Sequence, residues 1–201
     1  MPIAAKKNQV FINCPFDGKY KNIFNALVFA IHDCGFIARC ALEANDSHHV
    51  RIDKIFKIIG ECSLGVHDIS RAGIDSTTKL ARFNMPLELG IFMGCKEYSD
   101  NAKCYLIFDL EKYRYQKFIS DISGQDIKIH EGKIEKAISG LRDWLNNKTK
   151  ETLPSGSVIH KRYLNFIKEL PKMCRKNKWK PNELTFVDYT TAVASWLIEV
   201  T

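Results

Sequence analysis

The feature that most constrains the fold is a regular alternation of short apolar runs with helical stripes of apolar residues. Five runs have the length and composition of buried strands, and they cover residues 9–14, 36–42, 62–67, 103–109 and 126–130. Between the runs, apolar residues recur at helical spacing, as Ile23, Leu27 and Ile31 do. Strands that alternate with helices form parallel βαβ units with right-handed crossovers, so the sequence predicts an α/β domain with a parallel sheet.

The five strands and the segment after them predict two parts of the chain. Five strands in residues 1–150 fit a flavodoxin-like sheet in the order 2-1-3-4-5, and residues 151–201 form a C-terminal helical extension. The stretch 154–157 is predicted as a linker, because it contains only Pro, Ser and Gly. Two apolar stripes follow, one expected to end near Pro171 and the other to begin after a capping Thr185. Two helices cannot bury their own apolar faces, so we expect them to pack on the sheet domain or to form a homo-oligomer.

The composition indicates a folded protein without a membrane span. Of the 201 residues, 45% are hydrophobic and 26% are charged, which excludes a disordered or collagen-like chain. No apolar run approaches the roughly 20 residues that cross a bilayer, and residues 1–8 lack the apolar core of an export signal. The seven cysteines are scattered without a CxxC pair, which favours reduced thiols over a zinc site or a disulfide framework. We therefore expect a cytoplasmic protein with no bound metal and no membrane contact.

Polar segments follow the first and third predicted strands, at the edge where open parallel sheets bind ligands. In the order 2-1-3-4-5, the crevice opens outside the carboxyl ends of strands 1 and 3, where the strand order reverses. Residues 15–18 follow strand 1, and residues 67–71 and 82–90 follow strand 3. Topology therefore directs seven polar residues towards one crevice, namely Asp17, Asp68, Ser70, Arg71, Arg82, Asn84 and Glu88.

Glu88 is the candidate catalytic residue. A helix predicted over residues 86–96 begins with Pro86, so Glu88 lies in its first turn, where unpaired N–H groups and the helix dipole favour a carboxylate. Such a carboxylate is expected to be ionised at neutral pH and could stabilise an oxocarbenium ion or attack the sugar carbon. The alternative is that Glu88 only complements the helix dipole, an effect of about 0.3–1 kcal/mol.

Four arginines near the predicted crevice suit a substrate that carries phosphate. They are Arg39 at the end of strand 2, Arg51 at the start of helix 2, and Arg71 and Arg82 beside the polar loop. Guanidinium groups contact phosphate in bidentate geometry, and two of them suffice to orient a pyrophosphate. The alternative is that they form structural ion pairs with carboxylates such as Glu43, Asp46 or Asp75.

Segments at the first and third predicted strands resemble parts of enzymes that cleave N-glycosidic bonds. Residues 66–70 (VHDIS) and residues 85–94 (MPLELGIFMG) resemble the strand and the Glu-Leu-Gly helix of nucleoside 2-deoxyribosyltransferases. Residues 10–17 (VFINCPFD) resemble the first strand and loop of a TIR-like domain. The resemblance extends over residues 9–145. It departs from the deoxyribosyltransferase pattern at residues 84–86, where Asn-Met-Pro replaces the usual Gly-Thr, and the Trp and Cys that precede the TIR glutamate are absent.

The resemblance implies a function and a role for each part of the crevice. Glu88 would be the catalytic carboxylate, Asp68 would help to position the base or ribose, and Pro15, Phe16 and Asp17 would flank the ligand. The implied activity is that of an N-glycosidase with NAD+ as substrate and without a separate cofactor, since the cationic nicotinamide leaves without a general acid. Similarity to bacterial TIR domains further implies antiphage defence, with NAD+ hydrolysis or ADP-ribosyl cyclisation as the reaction and a defence-system protein as partner.

Other interpretations use the same residues differently. A non-catalytic module that binds a nucleotide signal, or a TIR-type assembly module, would use the same crevice with Glu88 as a helix cap. The basic segment 172–180 could bind nucleic acid, although a solvated helix end is the preferred interpretation. The pair His48-His49 lacks partners at metal-ligand spacing, and Cys14 lacks an activating histidine, so we interpret them as loop residues and a buried thiol.

Overall fold

The fold is described from a computed structural model, in which residues 6–43, 50–74, 79–99 and 102–200 are the described residues. In these ranges the strands are β1 (Lys6–Asn13), β2 (Ile37–Arg39), β3 (Cys62–Asp68), β4 (Cys104–Asp109) and β5 (Lys128–Ile129). The α-helices are α1 (Lys21–Asp33), α2 (Arg51–Glu61), α3 (Asn84–Tyr98), α4 (Ile134–Asn146), α5 (Gly156–Lys176) and α6 (Phe186–Val200). Two short 3-10 helices, Arg114–Lys117 and Ser120–Ile122, lie between β4 and β5.

The sheet has the order and polarity that the sequence predicts. Its strands are all parallel and follow the order β2-β1-β3-β4-β5. β1 pairs with β3, with Val10 opposite Leu64, although the chain first passes through the edge strand β2. The strand order therefore reverses between β1 and β3, and a crevice is expected at their carboxyl ends. The edge strands β2 and β5, which each pair with a single neighbour, are only three and two residues long.

The side chains of β1 alternate between two faces of the sheet, and helices cover both faces. Val10 and Ile12 join the core that α1 and α4 form on one face. Phe11 points to the opposite face, where it packs with Ile55 of α2 and Phe92 of α3. Burial on both faces explains why the strands consist of continuous apolar runs.

Helix α1 is buried between the sheet and the C-terminal helices. The ring centroid of Phe29 lies 5.6 Å from that of Tyr163, 5.3 Å from that of Phe166 and 5.8 Å from that of Trp196. Aromatic rings at such distances add to the free energy gained by burial alone. The C-terminal helices therefore pack on the α1 and α4 side of the sheet domain, which is one of the two arrangements expected from the sequence.

Helix α5 differs from its prediction at both ends. The Ser155 hydroxyl accepts a hydrogen bond from the Val158 N–H at 3.4 Å, so part of the predicted linker 154–157 is the helix cap and the first helical residues. The helix also continues through Pro171 instead of ending there. Proline removes one backbone hydrogen bond, yet the helix continues and packs Leu170 and Met173, on either side of it, against the core.

Helix α6 begins where the sequence predicts, with Thr185 as its cap. The Thr185 hydroxyl accepts a hydrogen bond from the Asp188 N–H at 3.1 Å, and the Asp188 carboxylate accepts one from the Thr185 N–H at 3.0 Å. This reciprocal pair is a capping box. Within the described ranges, neither α6 nor any other helix combines the length and apolarity needed to cross a bilayer.

Candidate functional site

The reversal of strand order opens a cavity of about 350 Å³ at the carboxyl end of β1, which we call the Glu88 cavity. Its volume lies in the range of roughly 300–1,000 Å³ that is usual for small-molecule sites. Ten residues line it, namely Asn13, Cys14, Pro15, Phe16, Asp17, Arg51, Arg82, Asn84, Met85 and Glu88. Six of them are predicted site residues: Pro15, Phe16, Asp17, Arg82, Asn84 and Glu88. The other four predictions, Arg39, Asp68, Ser70 and Arg71, are not part of this lining.

Glu88 lines the cavity, but it does so from a different turn of the helix than predicted. Helix α3 begins at Asn84 rather than at Pro86, so Pro86 is its third residue and Glu88 its fifth. The first turn of α3 contains no acidic residue. The interpretation of Glu88 as a complement to the helix dipole is therefore wrong, because that effect is confined to the first turn.

Burial changes the protonation of Glu88. The residue is only 5% exposed, and desolvation raises the pKa of its carboxyl group from 4.5 to about 7, while the positive charge of Arg51 opposes the rise. The prediction of a fully ionised carboxylate at neutral pH is therefore wrong. Near pH 7 the carboxyl is divided about evenly between its protonated and ionised forms, a state typical of residues that act in proton or charge transfer.

Asn13, the last residue of β1, was missed by the sequence analysis. Its side-chain amide donates hydrogen bonds to His67 Nδ1 at 3.0 Å and to the backbone carbonyl of Met85 at 2.8 Å. Burial lowers the pKa of His67 to about 3, so the imidazole is neutral and its Nδ1 accepts the bond. Asn13 thereby ties β1, β3 and the first turn of α3 together beneath the cavity. The available sequence signal was a polar residue at the end of an apolar strand, next to Cys14 and Pro15.

Asp68 is a buried supporting residue and does not contact the cavity. Its carboxylate accepts hydrogen bonds from the Tyr20 hydroxyl and from the Ser70 N–H, the latter at 2.8 Å. His130 Nε2 lies 3.1 Å from the same carboxylate, and its Nδ1 accepts a hydrogen bond from the Gly132 N–H. These contacts join the carboxyl ends of β3 and β5 to the start of α1. The role of Asp68 in contacting base or ribose stays a prediction, whereas its contacts make it a positioning residue for the loop that begins with Ser70.

Asp17 connects the loop after β1 to two of the predicted phosphate-binding arginines. Its Oδ1 accepts hydrogen bonds from the N–H groups of Lys19 and Tyr20, both at 3.1 Å, and so fixes the turn before α1. Its Oδ2 accepts a hydrogen bond from Arg82 Nη1 at 2.7 Å and lies 3.0 Å from Arg71 Nε. One carboxylate thus faces two guanidinium groups, each more than one third exposed.

Arg39 is engaged in a separate ion-pair cluster. Its guanidinium group contacts the Glu43 carboxylate at 2.7 Å and the Glu61 carboxylate at 3.0 Å, and it donates to the Gln9 side chain at 2.6 Å. Glu43 is one of the structural partners that the sequence analysis considered. The structure therefore holds Arg39 at the β2 edge with carboxylate partners.

The remaining candidates concern metal and thiol chemistry. Within the described ranges, no group of three or more His, Cys, Asp and Glu side chains is arranged to hold a metal ion. His48-His49, Asp46 and Asp75 lie outside the described residues. Burial and nearby carboxylates raise the pKa of Cys14 well above that of an ordinary thiol, so it is protonated and unreactive at neutral pH.

No protein-family model and no curated protein matches the chain.

Replacement of Asn13 by Leu is expected to destabilise the protein by about 2 kcal/mol, because a buried acceptor that loses its partner costs about 1–3 kcal/mol. Leucine has a similar size but donates no hydrogen bond to His67 Nδ1 or to Met85 O. Urea unfolding followed by circular dichroism would measure the change. Asn22→Leu is the matched control, since Asn22 is exposed on α1. Equal urea midpoints for Asn13→Leu and Asn22→Leu would show that the hydrogen bonds of Asn13 do not stabilise the residues around the Glu88 cavity.

Proposed function

We propose that the protein is an N-glycosidase that cleaves the ribosyl–base bond of a nucleotide, with NAD+ as its substrate. The observation that carries the proposal is the Glu88 carboxyl, which is buried yet lines a cavity together with Arg51 and Arg82. A buried acidic group that faces a cavity is costly for stability, which favours a functional role over a structural one. Participation in antiphage defence and a protein partner stay predictions from the resemblance.

The chemistry of NAD+ suits a site with one carboxyl group. Heterolysis of the glycosidic bond sends the bonding electron pair to the pyridinium nitrogen, so nicotinamide leaves as a neutral molecule and needs no proton. The ribose carbon becomes an oxocarbenium centre, which the ionised Glu88 would stabilise from the cavity wall. Water then adds to this carbon and releases a proton, which gives ADP-ribose. Attack by the adenine ring of the same substrate would give a cyclic product instead.

The arginines suit the phosphate groups of the same substrate. Arg51 and Arg82 both line the Glu88 cavity, and Arg82 is oriented by its hydrogen bond to Asp17. A guanidinium group can bind phosphate with two parallel hydrogen bonds. A pyrophosphate on these arginines would place the attached ribose in the cavity that Glu88 lines. Arg51 has a second effect, because its charge favours the ionised form of Glu88.

The proposal predicts nicotinamide release from NAD+ that increases with pH. If the ionised form of Glu88 is active and its pKa is about 7, kcat/KM at pH 8 should exceed that at pH 6 by about tenfold and should level off above pH 8. Chromatography of NAD+ incubations between pH 5.5 and 9 would measure this profile. A panel of nucleosides and deoxynucleosides provides the comparison, because their neutral bases need a proton to leave. A rate that falls as pH rises would contradict the role of the carboxylate.

The second candidate is a module that binds a nucleotide without consuming it. The pKa of about 7 supports this candidate, because the protonated form of the Glu88 carboxyl group can donate a hydrogen bond to a ligand and hold it. Such a module would bind NAD+ or a related nucleotide in the same cavity and return it unchanged. The chromatographic assay separates the two candidates, since only the enzyme produces free nicotinamide.

A further inference from the structure

A second cavity, of about 270 Å³, lies between the loop after β1 and the C-terminal helices, and we call it the C-terminal cavity. Its apolar walls come from the loop after β1, from α1, from α5, from α6 and from the connection that leads into α6; they include Phe16, Phe24, Leu170, Leu184 and Phe186. The Phe24 ring lies at the centre of the aromatic wall, with its centroid 5.3 Å from that of Phe16 and 6.0 Å from that of Phe186. Aromatic and aliphatic walls of this kind fit a flat heteroaromatic ring.

The two cavities share one wall. Pro15, Phe16 and Asp17 line both the Glu88 cavity and the C-terminal cavity. The Asp17 carboxylate is also the group that faces Arg71 and Arg82. The wall between the cavities therefore lies beside two guanidinium groups that Asp17 orients, and a phosphate linkage between two nucleosides would cross at this place.

One basic residue lines the C-terminal cavity, and a basic segment lies next to two lining residues in the sequence. Lys21, in the first turn of α1, is one of its lining residues. The basic segment 172–180 begins two residues after Leu170 and ends one residue before Pro181, and both of these residues line the cavity. The exposed basic side chains of this segment are Lys172, Arg175, Lys176, Lys178 and Lys180. An apolar cavity whose lining includes the lysine Lys21 favours a ligand that has both an aromatic ring and a negative charge.

We propose that the C-terminal cavity binds the nucleoside monophosphate half of a dinucleotide whose other ribose lies in the Glu88 cavity. This inference rests on the proposed function and specifies its substrate class. The purine ring occupies the apolar cavity, its phosphate meets Lys21 and the arginines at the boundary, and the scissile bond lies beside Glu88. The C-terminal helices thereby select dinucleotides over mononucleotides, a role separate from their packing on α1.

Adenosine monophosphate (AMP) is the probe, because it carries a purine and a phosphate but no scissile nicotinamide. Isothermal titration of the full chain should show AMP binding that Leu184→Trp weakens at least about tenfold, since the indole fills the cavity. Lys21→Glu is expected to weaken it by a similar factor, about tenfold, by reversing a charge at an exposed position. Lys19→Glu is the matched control, because it makes the same change of charge nearby at a residue that does not line the cavity. Circular dichroism spectra would confirm that each variant is folded.

Kinetics separate this proposal from the proposed function. Leu184→Trp should raise the KM for NAD+ at least about tenfold and leave turnover of nicotinamide mononucleotide unchanged, because that substrate lacks the AMP half. AMP binding that depends on Lys21 and Leu184, without nicotinamide release from either substrate, would support the second cavity and overturn the enzyme. Nicotinamide release with AMP affinity and KM unaffected by both variants would overturn the second cavity and leave the enzyme standing. Absence of AMP binding to the unmodified protein would overturn the second cavity as well.

Discussion

Replacement of Glu88 by Gln is expected to abolish nicotinamide release, with a loss of at least about 10³-fold, while leaving the fold intact. The glutamine amide has nearly the size of the carboxyl group but carries no negative charge, so it cannot stabilise the oxocarbenium ion. The side chain of residue 88 lines a cavity, and the substitution preserves its packing while removing its charge. The catalytic loss should therefore appear without a loss of structure.

The same substitution is expected to make the protein more stable above neutral pH. Folding raises the pKa of Glu88 from 4.5 to about 7, so the unfolded chain loses its proton at lower pH than the folded one. Below pH 4 both states are protonated and the carboxyl costs nothing; the cost grows between pH 4.5 and pH 7 and is constant above. A shift of this size corresponds to roughly 3 kcal/mol above pH 7. Glutamine has no charge to desolvate and avoids that cost.

Unfolding by urea at pH 4, 6 and 8, together with the nicotinamide assay, would measure both effects. The control is Glu97→Gln on the same helix, because Glu97 is exposed to solvent and its replacement should change neither activity nor stability. Full activity of Glu88→Gln would exclude the proposed mechanism. Equal or lower stability at pH 8 would show instead that the Glu88 charge is compensated in the folded protein. A variant that is inactive and more stable is the pattern of a functional residue maintained against a cost in stability.

Replacement of Phe166 by Ala is expected to lower the free energy of unfolding by about 4 kcal/mol. Phe166 is completely buried in α5, and its ring centroid lies 5.3 Å from that of Phe29, 5.7 Å from that of Tyr189 and 5.9 Å from that of Trp196. Alanine would leave a cavity at the point where α1, α5 and α6 meet. Because α1 also packs on the sheet, this cavity would lower the free energy of unfolding of the whole protein. If the C-terminal helices were only loosely attached, the loss would be smaller.

Thermal and urea unfolding of the full chain would measure this loss. Leu164→Ala is the matched control, since Leu164 lies two residues away on α5 with 45% of its surface exposed, and its replacement should cost well under about 1 kcal/mol. A Phe166→Ala variant as stable as this control would mean that the C-terminal helices do not share the core of the sheet domain. A separate, earlier transition for the helices would lead to the same conclusion.

Phe166 and Glu88 are both buried, but their burial has opposite effects on the stability of the folded protein. Phe166 belongs to a tightly packed aromatic cluster, where each ring stabilises its neighbours. Glu88, in contrast, is buried beside a cavity and raises the free energy of the folded state at neutral pH. The loop 15–17 lies between these regions and lines both the Glu88 cavity and the C-terminal cavity. A ligand in the two cavities would therefore contact the sheet domain and the C-terminal helices at once.

Sequence periodicity was sufficient to predict the sheet. Buried parallel strands require apolar residues on both faces, and helices that cover them require an apolar stripe, so runs such as 62–67 and the α1 stripe are local signals that do not depend on distant residues. The strand order was predicted from the flavodoxin-like arrangement that five such strands fit, and the structure has this order. The capping box at Thr185 was equally local. Pro171 was misinterpreted as a helix end because the helix beyond it packs Met173 against the core, a contact that no local pattern records.

The residues that form the site could be predicted only in part, because proximity in a crevice is a property of the assembled sheet. Topology placed Asp17, Arg82 and Glu88 correctly at one cavity, since each follows a strand end. Side-chain pairing decided the rest: Glu43 and Glu61 hold Arg39, Tyr20 and Ser70 hold Asp68, and Asn13 binds His67. The protonation state of Glu88 could not be predicted from the sequence either, because the pKa depends on desolvation by atoms from several distant segments. Periodic burial is encoded along the chain, whereas hydrogen-bond partners and local dielectric arise only when segments far apart in sequence meet.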